Sequence, residues 1–301
     1  MTHPEPVARA EAEDWFLAHG LPYFVDPIRE QVRRRLTRGR LVLVAGIGLL
    51  LAVPAGTAVG WRTSAPNGIS TAVTVLLAVA VAYAGRALRV HLIGTWALRQ
   101  TLSSLGLLFP LATRALPMLL LFVTFLFINT EVWMVASALD GGILWGAAML
   151  FAAVAVGFLV VRLSEEVDRL DDEIGREELG NDADVEGLPR TNLVLVLLIT
   201  QAFQVLLLAL AVFAFFIVFG AVAMDEKVLE AWIGEPLTYP GGVRVVSVEL
   251  LQVSTFLAAF SGLYFAVYAV TDETYRREFF TEVLGELEQA LRVRVRYLRA
   301  A

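Results

Sequence analysis

A polar side chain inside a bilayer is expensive, so the residues best placed to do chemistry in this chain are those that interrupt its apolar runs. Asn129-Thr130-Glu131 interrupts one run, Gln201 and Gln204 another, and Glu249 and Gln252 a third. Carboxylate and amide oxygens are hard donors that suit a cation stripped of some of its water. A Glu held out of water can also carry a proton. Thr124 lies seven residues before Glu131 and shares its face if the helix is continuous. At a rise of 1.5 Å per residue, Glu131 lies about 12 Å inside Leu139, and Gln204 about 18 Å from Asn192, near a bilayer midplane. The pattern predicts a polar path for a cation or proton between the third, fifth and sixth runs. Its candidate residues are Thr124, Asn129, Glu131, Gln201, Gln204, Glu249 and Gln252. Each also has a plainer role. Asn129, Gln201 and Gln204 suit hydrogen bonding between helices. Glu249, one turn inside, can reach outward to water. Ser254 and Ser261 can bond carbonyls of their own helix, and they share an arc with Tyr264 and Tyr268.

Six apolar runs must position these groups. They lie near 41–60, 68–85, 115–138, 141–161, 192–223 and 246–270. Each approaches the ~20 residues an α-helix needs to cross about 30 Å of hydrocarbon. Apolar residues make up 57% of the 301, above the usual share of a soluble domain. The expected fold is all-α: a polytopic integral membrane protein with six transmembrane helices and amphipathic helices outside the bilayer. Segment 102–112 is apolar but short and holds Pro110, so it is expected to lie at the interface or to re-enter partly.

Basic residues fix the orientation. Segments 1–40, 86–114, 162–191 and 271–301 hold 21 of the 24, leaving Arg62, Lys227 and Arg244 for the alternate loops. Arginine is retained on the cytoplasmic side, so both ends are expected there. The first run starts too late for a signal peptide, and it is expected to act as an uncleaved start of translocation. Arginine in 23 of the 24 basic positions, with abundant Ala, Val and Leu, points to a high-GC bacterium and so to its plasma membrane.

Small residues predict packing. Gly56 and Gly60 form a GxxxG in the first run, alanines recur in the second, and Gly142, Gly146 and Gly157 mark the fourth. Runs one, two and four are therefore expected to form the interior, with run three facing lipid. The contact is expected within one copy of the chain, ahead of a homo-oligomer.

The segments outside the runs divide the chain further. An amphipathic N-terminal segment, 1–40, precedes helices one to four in 41–161. An acidic extension follows at 162–191, then helices five and six in 192–270 with the outer loop 224–245, then an amphipathic helix in 271–301. The fourth helix is expected to run on past the membrane, because Leu163, Val167, Leu170 and Ile174 form a two-heptad seam. That seam is a candidate surface for a cytoplasmic protein partner. Trp15, Phe16, Tyr23 and Phe24 suit an interfacial anchor or a small helical cap. Phe280, Leu284, Leu287 and Leu291 predict a terminal helix, although residues 291–297 alternate like a strand.

Several classes are excluded. There is no cysteine, and His3, His19 and His91 lie outside every run, so neither a thiolate nor a histidine metal site is expected in the membrane. Asp182 opens half of a calcium-loop pattern, but Leu193 stands where a bidentate Glu is needed. Glu165-Glu166 and Arg169 are one residue short of the paired-Glu spacing of intramembrane CAAX-type proteases. No HExxH, GxSxG, phosphate loop or dinucleotide fingerprint occurs. No enzyme activity, cofactor or nucleic-acid binding is expected, and no family signature is carried. Two functions follow: a channel or small carrier using the polar path, or a non-transporting scaffold or sensor that recruits a partner through its cytoplasmic helices.

Overall fold

The computed structural model describes residues 6–103, 117, 119–139, 142–174, 185–240, 245–271, 285, 288–290, 292–294 and 297. Every regular element among them is helical. In order these are α1 (Pro6–Ala18), a 3-10 turn (Pro22–Phe24), α2 (Asp26–Arg35), α3 (Arg38–Arg62), α4 (Ala65–Ala87) and α5 (Val90–Ser103). Then come α6 (Leu119–Phe127), α7 (Thr130–Ser137), α8 (Gly142–Ile174), α9 (Leu188–Ala223), α10 (Glu226–Ile233) and α11 (Val248–Thr271). Most of segment 102–112, and the chain from Gly175 to 184, fall outside the described residues.

Five helices, α3, α4, α8, α9 and α11, are long and apolar enough to cross a bilayer. The third expected crossing differs: α6 and α7 meet at a bend of 75°, so this run is a broken or re-entrant element. Helix α8 has 33 residues and α9 has 36, both well beyond the ~20 that a crossing needs. The expected extension of the fourth helix is therefore present, as far as Ile174.

The chain divides into two compact units, and α8 and α9 contribute to both. The first comprises Met1–Ser103, Val160–Thr200 and Arg277–Ala301; the second comprises Ser104–Leu159 and Gln201–Arg276.

In the first unit α3 and α4 form a hairpin, with Gly56 and Gly60 packed against Gly68. The GxxxG thus works within one copy of the chain. Its geometry predicts a graded mutational series. A Cβ on Gly68 would lie 2.6 Å from the Gly56 carbonyl oxygen and 2.9 Å from Gly60 Cα. Both are main-chain atoms that cannot move aside alone, so Gly68→Ala must part the helices. A loss of about 1–3 kcal/mol is expected, read as detergent-resistant thermal stability. Gly85→Ala, with nothing within 4 Å of its Cβ, should leave stability unchanged. Equal effects at both positions would contradict the hairpin contact.

The GxxxG helix and its partner are not the most buried of the long helices, however. Only 6% of α4's apolar window and 17% of α3's and α8's is buried, against 56% for α11. The expected interior of runs one, two and four is therefore corrected. The α3–α4 seam buries one stripe of each helix and leaves Leu50, Val42, Ile69 and Val81 exposed. Gly146 and Gly157 of α8 meet nothing within 4 Å. Apolar surface this extensive is foreign to soluble domains and suits lipid.

The rest of the first unit is a helical cap. Phe16, Tyr23 and Val32 are fully buried, as are Ile93 and Ala97 of α5 and Leu197 of α9. Phe16 stacks on Phe24 and meets Tyr297 edge-on at 5.9 Å. Phe16, Tyr23 and Phe24 are thus core residues of a cap and not interfacial anchors. The described residues at 288–290 and 292–294 are helical, so the alternating pattern there does not produce a strand. Gly20 closes α1 with φ +71°, a left-handed conformation suited to glycine, and a Cβ there would press on the Trp96 ring at 3.1 Å.

In the second unit α9 and α11 run antiparallel. Gly262 of α11 faces Val205 and Ala209, while Gly220 of α9 faces Leu250 and Phe127. This register sets the depth of every candidate residue described next.

Candidate functional site

The helix break explains three candidates at once. The last helical bond of α6 is Ile128 N–H to Thr124 O at 3.0 Å. In an unbroken helix the Phe127 carbonyl would next accept from Glu131 N–H. Instead the Trp133 indole N–H donates to that carbonyl at 2.6 Å. Asn129 Oδ1 in turn accepts from the N–H groups of Glu131 and Val132 at 2.8 and 3.3 Å. The Phe127 carbonyl and the Glu131 N–H, parted by the bend, are thus both paired, as a break among apolar helices requires. Asn129 is therefore an N-cap and not a bridge between helices. Glu131 sits exposed in the first turn of α7, where its charge suits the helix dipole. The expected shared face of Thr124 and Glu131 is lost, because that face requires the helix to continue through Asn129. Trp133 and Phe127 are fully buried, with Phe216 stacked on Phe127 at 4.7 Å.

Gln252 and Glu249 also serve the main chain. Gln252 Nε2 donates to the Leu139 carbonyl just past α7 at 3.3 Å. Both Glu249 carboxylate oxygens accept from Thr238 N–H at 3.1 Å, and Val248 N–H returns to Thr238 O at 2.8 Å. Glu249 thus pins the loop after α10 to the start of α11, and does not merely reach to water. Segment 224–245 holds the short helix α10, and its Trp232 approaches Trp133 with ring centroids 6.4 Å apart.

The expected convergence is not formed as a set. Glu131, Glu249 and Gln252 belong to the end of the second unit marked by Gly220 and Leu250. Gln204 lies one residue from Val205, which faces Gly262, and Gln201 lies a turn beyond. From Ser254 to Gly262 is about 12 Å along α11, a stretch that includes fully buried Leu257 and Ser261. Ser261 Oγ donates to Leu257 O at 2.6 Å, the own-helix bond expected of it. Gln201 and Gln204 are buried. Gln204 Oε1 and Ser254 Oγ have no hydrogen-bond partner. Tyr264 stacks between Phe122 and Tyr268.

The first unit holds a separate polar network. Asn192, in the first turns of α9, is fully buried. Its Oδ1 accepts from Tyr23 N–H at 2.7 Å and its Nδ2 donates to the Gly20 carbonyl at 3.0 Å. One amide thereby clamps the turn between α1 and α2 onto α9. The Tyr23 hydroxyl donates to the Leu88 carbonyl at the end of α4, and burial pushes its pKa well up, so it stays a donor. Arg9 donates to Asp26 at 2.9 Å and to the Tyr297 hydroxyl at 3.0 Å. That hydroxyl lies 3.0 Å from Glu13 and 3.3 Å from Asp26. The network joins α1, α2 and the C-terminal segment.

The heptad seam belongs to the same unit. Leu163 and Val167 are buried within the chain, so this half of the seam offers no open surface to a partner. The side chains of Leu170 and Ile174 lie outside the described residues. Beside the seam, Arg190 of α9 bonds Asp168 at 2.7 and 2.8 Å.

Sequence reasoning missed Asn192, Trp133 and Tyr297. Asn129-Thr130-Glu131 did carry a usable signal, since Asn followed by an acid is a helix start. Nothing local distinguishes Asn192, whose partners lie 169 and 172 residues away. Among the described residues no group of three His, Asp or Glu is placed to hold a metal ion. Comparison with known protein families, curated proteins and solved structures finds no match.

Proposed function

We propose that this chain is a multi-pass protein of a bacterial plasma membrane, with both ends cytoplasmic. Its working part is the cytoplasmic cap, a membrane-anchored binding module of the scaffold or sensor kind. The orientation rests on the sorting of basic residues, 21 of 24 on one set of loops. The observation that carries the functional proposal is how the polar groups are used. Asn129, Glu249 and Gln252 satisfy main-chain groups around α7 and the outer loop. The cap meanwhile gathers residues from three separate stretches around one core. A fold that orders chain termini in this way supports recognition at a surface.

A channel or small carrier remains the second proposal, and one observation favours it: Gln204 Oε1 and Ser254 Oγ are buried without partners. Such groups are costly in hydrocarbon and are often functional.

Photo-crosslinking in whole cells tests the binding module. Photoreactive residues are introduced at Leu17 and Glu30, exposed in the cap, and at Leu50 and Val81, exposed on α3 and α4. A discrete adduct is expected from the cap positions and only lipid from the others. The adduct should vanish when Asn192→Ala loosens the cap. Cap positions that yield no adduct, or adducts indifferent to Asn192→Ala, would refute the proposal.

A further inference from the structure

Arginines from both ends of the chain converge on a cavity in the cap. Arg29 and Arg33 lie one turn apart on α2, and Arg294 comes from the C-terminal segment. Together they line an open cavity of about 460 Å³, bordered by Gly187, Leu188 and Pro189 at the start of α9. That volume falls in the range of small-molecule sites. Guanidinium groups stay charged at any physiological pH, so three around one space favour the entry of an anion.

The local compensation is partial. Arg29 pairs with Asp26, and the exposed Glu186 carboxylate lines the same cavity. Arg33 has no ion-pair partner among the described residues. Arg294 lies over the Phe24 ring at 5.9 Å and makes a further contact, so the charge left to balance is chiefly that of Arg33. The first turn of α9 contains no acid, and its positive dipole end borders the cavity. Pro189 supplies no N–H, so the side chains must provide most of the hydrogen bonds.

We propose that this cavity binds a phosphomonoester anion through Arg29, Arg33 and Arg294. Arginine's planar fork matches two phosphate oxygens at once. The same headgroup chemistry could come from a soluble metabolite or from a lipid. A lipid could reach it, since Arg33 is five residues from Arg38, the first residue of α3, and Leu188 begins α9. Glu186 occupies part of the anion's space and acts as an internal competitor. The inference rests on the cap being a binding module and names what it binds.

Glycerol 3-phosphate and phosphatidic acid carry the same phosphomonoester, one soluble and one anchored, and make a matched test. Full-length protein in uncharged detergent is titrated calorimetrically with glycerol 3-phosphate. Full-length protein in phosphatidylcholine nanodiscs with phosphatidic acid is assayed for retained lipid by native mass spectrometry. Binding of either probe is expected, the soluble one alone indicating a metabolite and the lipid alone a headgroup. Arg33→Gln and Arg294→Gln should each weaken it about tenfold or more. Glu186→Gln should tighten it a few-fold, and Arg99→Gln, exposed on α5, should change nothing. Failure of folded parent protein to bind either probe overturns the site. So does an equal loss in Arg99→Gln, which would mean diffuse surface charge. Where the arginine substitutions prevent folding, Glu186→Gln decides, and unchanged affinity there counts against the site. Cap crosslinks that persist without phosphate binding would sink this inference alone; loss of both would sink the module.

Discussion

Asn192→Ala is expected to unfold the cap while leaving the long apolar helices helical. The amide is fully buried and serves two main-chain groups at 2.7 and 3.0 Å. Truncation strands Tyr23 N–H and the Gly20 carbonyl where water has poor access. Each unpaired buried group costs about 1–3 kcal/mol, so a total of about 2–6 kcal/mol is expected. Asn192→Asp tests the mechanism more sharply. It keeps the acceptor for Tyr23 N–H but loses the donor to Gly20 and buries a charge, so it should be no better than alanine. Hydrogen exchange gives the readout. Protection should fall together around residues 16–32, 188–197 and 288–297, because Phe16, Tyr23, Leu197 and Tyr297 share one core. Protection lost only beside residue 192 would contradict a cooperative cap.

Trp133→Ala should be comparably severe in the second unit. Filling a fully buried site with a methyl costs about 3–5 kcal/mol for a large aromatic, and the Phe127 carbonyl loses its indole donor. Trp133→Phe separates the two terms. It keeps most of the packing against Phe127 and Phe216 but cannot donate, so a loss of about 1–3 kcal/mol is expected. Both variants should free α7, raising trypsin sensitivity at Lys227 of the adjoining α10. If Trp133→Phe matches wild type in thermal unfolding, the indole bond does not hold the bend.

The architecture was readable where one physical rule dominates. Hydropathy alone finds α3, α4, α8, α9 and α11, because a spanning helix must be apolar on every side. The heptad spacing of Leu163 and Val167 correctly extended α8, but it could not say whether the seam was vacant or covered. The break after Phe127 escaped because Asn129-Thr130-Glu131 was read as polarity within a continuing helix. Asn129 looked like an isolated polar residue in a span, whereas its spacing to Glu131 is that of a cap. The packing forecast failed for a different reason. Glycines such as Gly56 and Gly68 show where two backbones can touch, not which helix is surrounded. The most buried of the long helices is α11, and its small residues Ser254, Ala258, Gly262 and Ala266, four apart, were not read as a packing stripe. The cap's hydrogen bonds were invisible because Arg9 and Tyr297 lie 288 residues apart.

The claim that this chain's function resides in its cap and not in a path through its spans is tested most directly by ion flux. Purified protein in sealed proteoliposomes is placed under a proton or potassium gradient. Flux is expected to equal that of protein-free vesicles, for the parent and for Glu131→Gln alike. Gradient-driven flux in the parent that disappears in Gln204→Leu, with the protein still folded, would contradict the account and return the function to the membrane.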